Sequence, residues 1–196
     1  MTFVIQDGRS GRTATVDNSN RLTTFSSVQG EETTAALTGD TFTGNTNRIT
    51  LTSANESALL YVKNTDTVPW IMSRVFANVG ASTGGTGDWT FKIKKDVKTG
   101  TIVSAGVVVI PQNLNFGSAK ELVSTVLKGV EGSTATNGTD VIESLIPTAS
   151  TRVLIANNPL IIEQGATAVG TITPPAGNTS FPVQVGFVVS RFTGEV

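Results

Sequence analysis

Fifteen Asp and Glu residues are the natural starting point for chemistry in this chain, because it has no His and no Cys. That absence removes imidazole bases for a serine nucleophile, thiolate nucleophiles, disulfides, and imidazole or thiolate metal sites. Carboxylates alone can run a glycosidase, which needs two of them about 5–10 Å apart. Glu31 with Glu32, Glu121 with Glu131, and Glu143 with Glu163 can be imagined as such pairs. None sits in a recognisable motif, and solvated surface charge accounts for them. Asp17-Asn18-Ser19-Asn20 starts like a calcium loop but lacks the later ligands, so it reads as a turn. Gly84-Gly85-Thr86-Gly87 lacks the Lys-Ser/Thr of a phosphate loop. No catalytic, cofactor-binding or metal-binding residue is assigned.

The basic residues point to contact rather than catalysis. Lys92 and Lys94 alternate with Phe91 and Ile93, with Lys95 and Lys98 close behind. The simplest reading is an edge strand that Lys keeps from aggregating. The sharper one is a cationic patch that docks on an acidic protein surface. Nucleic acid is disfavoured: net charge is −1, and no aromatics interleave with these lysines on the same face. Arg9, Arg12 and Arg21 bias the N-terminal segment positive and could pair with a neighbouring subunit.

The elements that must carry these residues are strands. In 196 residues about one in six is Thr, with Val and Ile also common, and 20 Gly and 7 Pro punctuate the chain. β-Branched residues are stiff at χ1 and suit pleated surfaces, so many short strands and turns imply a sandwich or barrel. A chain this long can bury roughly 70% of its unfolded surface in one domain. The N-terminus lacks a signal-peptide pattern, and no apolar run approaches the ~18 residues of a transmembrane helix, so a cytosolic product without membrane contact is expected.

Residues 1–36 are polar and rich in small residues, with scattered Val4, Ile5, Val16 and Leu22; they read as an extended arm ordered by another surface. Residues 37–196 read as the folded domain. Ala58–Asn64 suits a strand buried on both faces, and Trp70–Val79 is the next strand. Residues 81–88 form a surface loop, and Trp89–Lys94 alternates strictly. Thr101–Val103 and Val107–Ile110 are predicted strands, with Gly106 as a bulge between them and Pro111 as a stop. Residues 118–129 are ambiguous: Ser118 and Glu121 resemble a capping box, but the β-branched content favours a strand. Residues 130–140 form a loop in which Asn137-Gly138 suits a type I′ turn. Thr151–Ala156, Pro159–Glu163, Ala166–Thr173 and Phe181–Phe192 complete the strands. There is no internal repeat or heptad.

Four stretches carry a family likeness: Asp7–Gly11 with Ala14–Leu22; Ile49–Ser53 with Leu59–Asn64; Asn113–Ser118 with Lys128–Gly132; and Pro159–Gly165 with Asn178–Phe181. Together the chain resembles virion structural proteins of tailed bacteriophages. The resemblance implies an all-β, antiparallel β-sandwich of jelly-roll type with no enzymatic activity and no cofactor. It implies a virion location, preferably the head surface, as a capsid decoration or cement protein. The partners would be the major capsid protein or other virion subunits. Symmetric sites on a head favour ring-like assemblies, so a homotrimer is expected. The alternative is a tail, baseplate or fibre-associated subunit whose loops 81–88 and 130–140 meet a host surface glycan.

Overall fold

The computed structural model describes residues 4–6, 13–16, 22–24, 31–81, 87–147, 149–177 and 180–192. The chain divides into two compact units, Met1–Glu31 and Glu32–Val196. The first contains three short strands, β1 (Val4–Gln6), β2 (Thr13–Val16) and β3 (Leu22–Thr24), paired antiparallel in that order. Helix α1 (Glu31–Thr38) follows, so the segment read as an extended arm to residue 36 ends in a helix.

The second unit is an antiparallel sandwich. Sheet 1 contains β4 (Thr41–Asn45), β5 (Ile49–Leu51), β7 (Trp70–Val79), β10 (Gln112–Asn113), β13 (Thr151–Ile162) and β15 (Phe181–Arg191). Its order is β10-β4-β15-β7-β13, with β5 also pairing β15. Sheet 2 contains β6 (Ser57–Asn64), β8 (Trp89–Lys95), β9 (Val107–Val108), β11 (Ser124–Lys128), β12 (Thr139–Ile146) and β14 (Thr167–Thr173). Its order is β12-β8-β14-β6-β11-β9.

Behind these orders lies one pairing rule. Early strands pair with late ones in nested fashion: β4 with β15, β6 with β14, β7 with β13, and β8 with β12. The chain is thus a long double-stranded ribbon wound across both sheets. The excursion between β8 and β12 adds β10 beside β4, β11 beside β6, and β9 beside β11.

Alternating side chains fill the space between the sheets. Trp70, Phe42, Phe181 and Phe187 from sheet 1 meet Trp89, Phe91, Leu59 and Ile172 from sheet 2, all fully buried. Trp89 and Phe181 pack edge to face, with ring planes at 88°. Two cross-strand Gly–Phe pairs tighten sheet 1: the Phe187 ring covers Gly44, and the Phe76 ring covers Gly186. A β-carbon at either glycine would collide with the ring.

A second, smaller core lies outside sheet 2, where Ala58, Tyr61, Leu127 and Val169 pack with Val97 and Ile102. It explains why β6 is buried on both faces, as its apolar run implied. Ile102 belongs to helix α2 (Thr101–Ala105), where a strand was expected. Gly100, at φ 126°, reverses the chain, and its carbonyl accepts the Val103 and Ser104 N–H groups, so the turn closes locally. Gly106 is accordingly the C-cap of that helix and not a bulge, and the following strand shrinks to Val107–Val108.

Other expectations also change. Of residues 118–129 only β11 is regular, and the Ser118 hydroxyl accepts the Lys120 N–H instead of starting a helix. Asn137 has φ 62° but Gly138 is not in the positive-φ region, so the type I′ turn does not form. A hairpin is impossible there because β11 and β12 are not neighbours. The two strands expected around Pro159 are one strand, β13, with a register irregularity between Ile155 and Leu160; Pro159, with no N–H to donate, falls inside it. Most of the 81–88 loop lies outside the described residues.

Trp89→Ala is expected to lower stability by about 3–5 kcal/mol, the range for removing a large aromatic from a packed core. Urea denaturation monitored by far-UV circular dichroism measures it; a loss within the scatter of surface substitutions would contradict this description of the core.

Candidate functional site

The lysines singled out from sequence do not form a free cationic patch. Strand β8 lies between β12 and β14, so Lys92 and Lys94 are not on an edge strand. Lys92 Nζ lies 3.1 Å from Asp140 Oδ2 and 3.4 Å from Glu143 Oε2. Lys94 Nζ lies 2.6 Å from Glu56 Oε1 and 3.8 Å from Asp140 Oδ1. Hydrogen bonds to Asp140 and Glu143 raise the Lys92 pKa. Burial disfavours the charged form of Glu56, but the Lys94 hydrogen bond helps outweigh it and the pKa falls. The lysines therefore complete a neutralised cross-strand network in sheet 2. Arg9, Arg12 and Arg21 lie outside the described residues.

Of the imagined acidic pairs, the side chains of Glu31 and Glu32 lie outside the described residues, and Glu131 and Glu143 are each engaged elsewhere. Glu131 holds the loop after β5, accepting the N–H groups of Thr52 and Ser53 at 2.6 Å each. Burial opposes its ionisation, but these bonds prevail and its pKa is lowered. Glu143 belongs to Lys92. No group of three or more Asp or Glu able to hold a metal ion occurs among the described residues.

One polar cluster is buried, and sequence reasoning missed it. Asp40 and Asp66, with side chains 3% and 6% exposed, share Arg191. Arg191 Nε donates to Asp66 Oδ2 at 2.7 Å, and Nη1 approaches Asp40 Oδ1 at 3.4 Å. Lys120 Nζ donates to the other Asp40 oxygen at 2.8 Å. Asn64 locks the turn beneath, donating to the Val68 and Ile162 carbonyls and accepting the Asp66 N–H. The cluster joins the start of β4, the β6–β7 turn and the end of β15. Both carboxylates are held ionised by cations, so neither is poised to exchange protons near neutral pH. Burial opposes their charge, yet the bonds from Lys120 and Arg191 lower both pKa values below the ordinary 3.8. The cluster is a structural latch.

The remaining unusual feature is apolar surface. Val107, Val108 and Ile110 are 53%, 70% and 75% exposed, and Phe116 is 98% exposed. Strand β9 is one edge strand of sheet 2 and β10 one edge strand of sheet 1. Only residues 109–111 separate them, so the chain crosses from one sheet to the other at this rim. Phe116 is held out by a hydrogen-bonded loop: Asn115 accepts the Gly117 N–H and donates to the Leu37 carbonyl, while Asn113 accepts the Asn115 N–H. The sequence signal was available, since Thr99 through Ala119 contains no charged residue. Exposed edges are normally guarded by charge, and this one is not.

Residues 130–140 are not a free loop: Ala58 donates to the Ser133 carbonyl, and Thr136 bridges Thr99. No helix among the described residues is long and apolar enough to cross a membrane. Compared with known proteins, the chain matches no family model and no curated sequence.

The latch sets an acid limit. A carboxylate whose folded pKa is depressed contributes stability that is complete above its unfolded pKa and is lost as pH falls through the folded value. Thermal stability is expected to decline below about pH 4. Arg191→Met is expected to cost on the order of 3 kcal/mol at pH 7 by leaving the buried Asp66 carboxylate without its cation and Asp40 with Lys120 alone, and to flatten the acid decline. Melting temperatures from pH 2 to 8 check both; an unchanged acid slope in the variant would refute the latch.

Proposed function

We propose that this chain is a non-enzymatic structural subunit of a tailed-phage particle, and that it acts as a decoration protein on the outer head shell. The observation that carries the reading is the uncharged apolar rim at Val107, Val108, Ile110 and Phe116 on an otherwise well-packed sandwich. Exposed apolar surface flanked by polar surface marks a contact site, and a rigidly held aromatic is the kind of residue that dominates interface energetics.

The nested strand order supports the same reading. Two four-stranded layers, β4-β15-β7-β13 and β12-β8-β14-β6, support the reading of the sandwich as a jelly roll, a fold used by viral shell proteins, lectins and cupins alike. Fold by itself does not select among these, and the sequence resemblance to phage virion proteins tips the choice. The first 31 residues add a second argument. A unit of that length without a disulfide falls below the size at which a domain is ordinarily stable by itself, which favours support from a partner surface. Decoration would then work by many small interfaces, each adding to the free energy needed to rupture the shell. A homotrimer of the chain on symmetric shell sites fits this scheme.

A tail, baseplate or fibre-associated position is the second reading, favoured by a polar surface depression described below. Copy number separates them: hundreds per virion for the head, small multiples of three or six for the tail.

Two variants test the shell contact. Phe116→Ser is expected to leave folding stability within about 0.5 kcal/mol of the parent, because the side chain touches solvent. It should nonetheless weaken co-sedimentation with particles stripped of this subunit by tenfold or more. Deleting Met1 to Arg21 is expected to leave a folded sandwich that no longer binds those particles. Unaltered binding by both variants would overturn the proposal.

A further inference from the structure

The outer face of sheet 1 carries a depression of ≈ 190 Å³ between β5, β7 and β15. Pro182 on β15 provides a flat apolar floor. The Pro182 ring packs directly against Gly80, where a β-carbon would collide with it. The Gly80 N–H donates to the Pro182 carbonyl at 2.9 Å, which fixes the two backbones side by side.

The rim is polar and pre-organised. Asn78 Nδ2 donates to Gln184 Oε1 at 3.2 Å, and Gln184 Nε2 donates to Asn45 Oδ1 at 3.0 Å. These bonds hold three planar amides in a row, two of which, Asn78 and Gln184, line the depression. Arg48 enters from a stiff turn: Asn45 Oδ1 also accepts the Asn47 N–H at 2.8 Å, and Asn47 has φ 57°. Beneath it the buried Thr46 donates its N–H to the Val185 carbonyl and accepts the Val185 N–H on its hydroxyl. Arg48 is exposed and makes no ion pair among the described residues. No acidic residue lines the depression among the described residues.

We propose that this depression binds an acidic sugar unit, a uronate-type pyranose within a polysaccharide. A pyranose presents an apolar C–H face and an edge of vicinal hydroxyls. The floor suits the first and the fixed amides the second, because planar amides donate and accept in parallel with adjacent hydroxyls. The guanidinium forms a bidentate, charge-assisted contact with the ring carboxylate. The site is shallow, so affinity per sugar is weak, and copies on a particle would raise it by multivalency. The binding belongs to the isolated chain and does not depend on where it sits in a virion; its residues are not those of the apolar rim.

The test is titration of the full-length, ¹⁵N-labelled chain with a glucuronate-containing tetrasaccharide, with a neutral glucose tetrasaccharide and sodium acetate as comparisons. The acidic tetrasaccharide is expected to shift the side-chain amide signals of Asn78 and Gln184 with a Kd of about 1 mM or tighter. Arg48→Ala should weaken binding tenfold or more without changing the melting temperature. Arg48→Lys should fall between, and Asn78→Asp should abolish binding through charge repulsion. Equal shifts with acetate, equal binding of the neutral sugar, no shifts at all, or undiminished binding by Arg48→Ala would each overturn the proposal.

Discussion

The sandwich depends on β15 being held on both sides at once. Along its length the last long strand pairs β7 on one side and β4 and β5 on the other. Its inward residues, Phe181, Val183, Val185, Phe187 and Val189, form the spine of the core. Its outward residues set the character of the outer face, and its final residue, Arg191, neutralises two buried aspartates. A strand late in sequence that must pair with the first strand of the sandwich imposes long-range closure, whose loop entropy is recovered only when both ladders form. The nested pairing of β6 with β14, β7 with β13 and β8 with β12 follows from that closure.

This closure separates scaffold from surface. The strands of the nested ribbon are committed to the core, and the Lys92–Asp140–Glu143 and Lys94–Glu56 pairs finish the outside of sheet 2. The excursion between β8 and β12 has different work. Part of it, α2, seals the second core; the rest, around β9 and β10, brings uncharged apolar side chains to the rim. A chain that evolved as an isolated monomer would be expected to guard such a rim with lysine or bury it. The proposed role in assembly accounts for the rim without requiring any reactive side chain.

Much of the scaffold was legible in the sequence because its signals are local. The continuous apolar run of β6 and the strict alternation of β8 are period-two patterns that burial on two faces or one would produce. Elements decided by distant partners were not legible. Thr101–Ala105 is β-branched at its start, yet it is helical because Gly100 turns the chain and Ile102 has a pocket to fill. Lys92 and Lys94 look like edge guards until Asp140, Glu143 and Glu56 arrive from other strands. Asp40, Asp66 and Arg191 are far apart in sequence, and nothing near any of them announces the cluster. The charge-free stretch from Thr99 to Ala119 could have been read as an interface, but its position at an open rim is a fact of topology.

The most direct measurement of the central claim, that this chain works by covering neighbouring subunits, is imaging of the intact particle at subunit resolution. The account predicts the sandwich in many symmetric copies on the head, with Val108, Ile110 and Phe116 buried against another protein. A particle in which that rim faces solvent in every copy would contradict it.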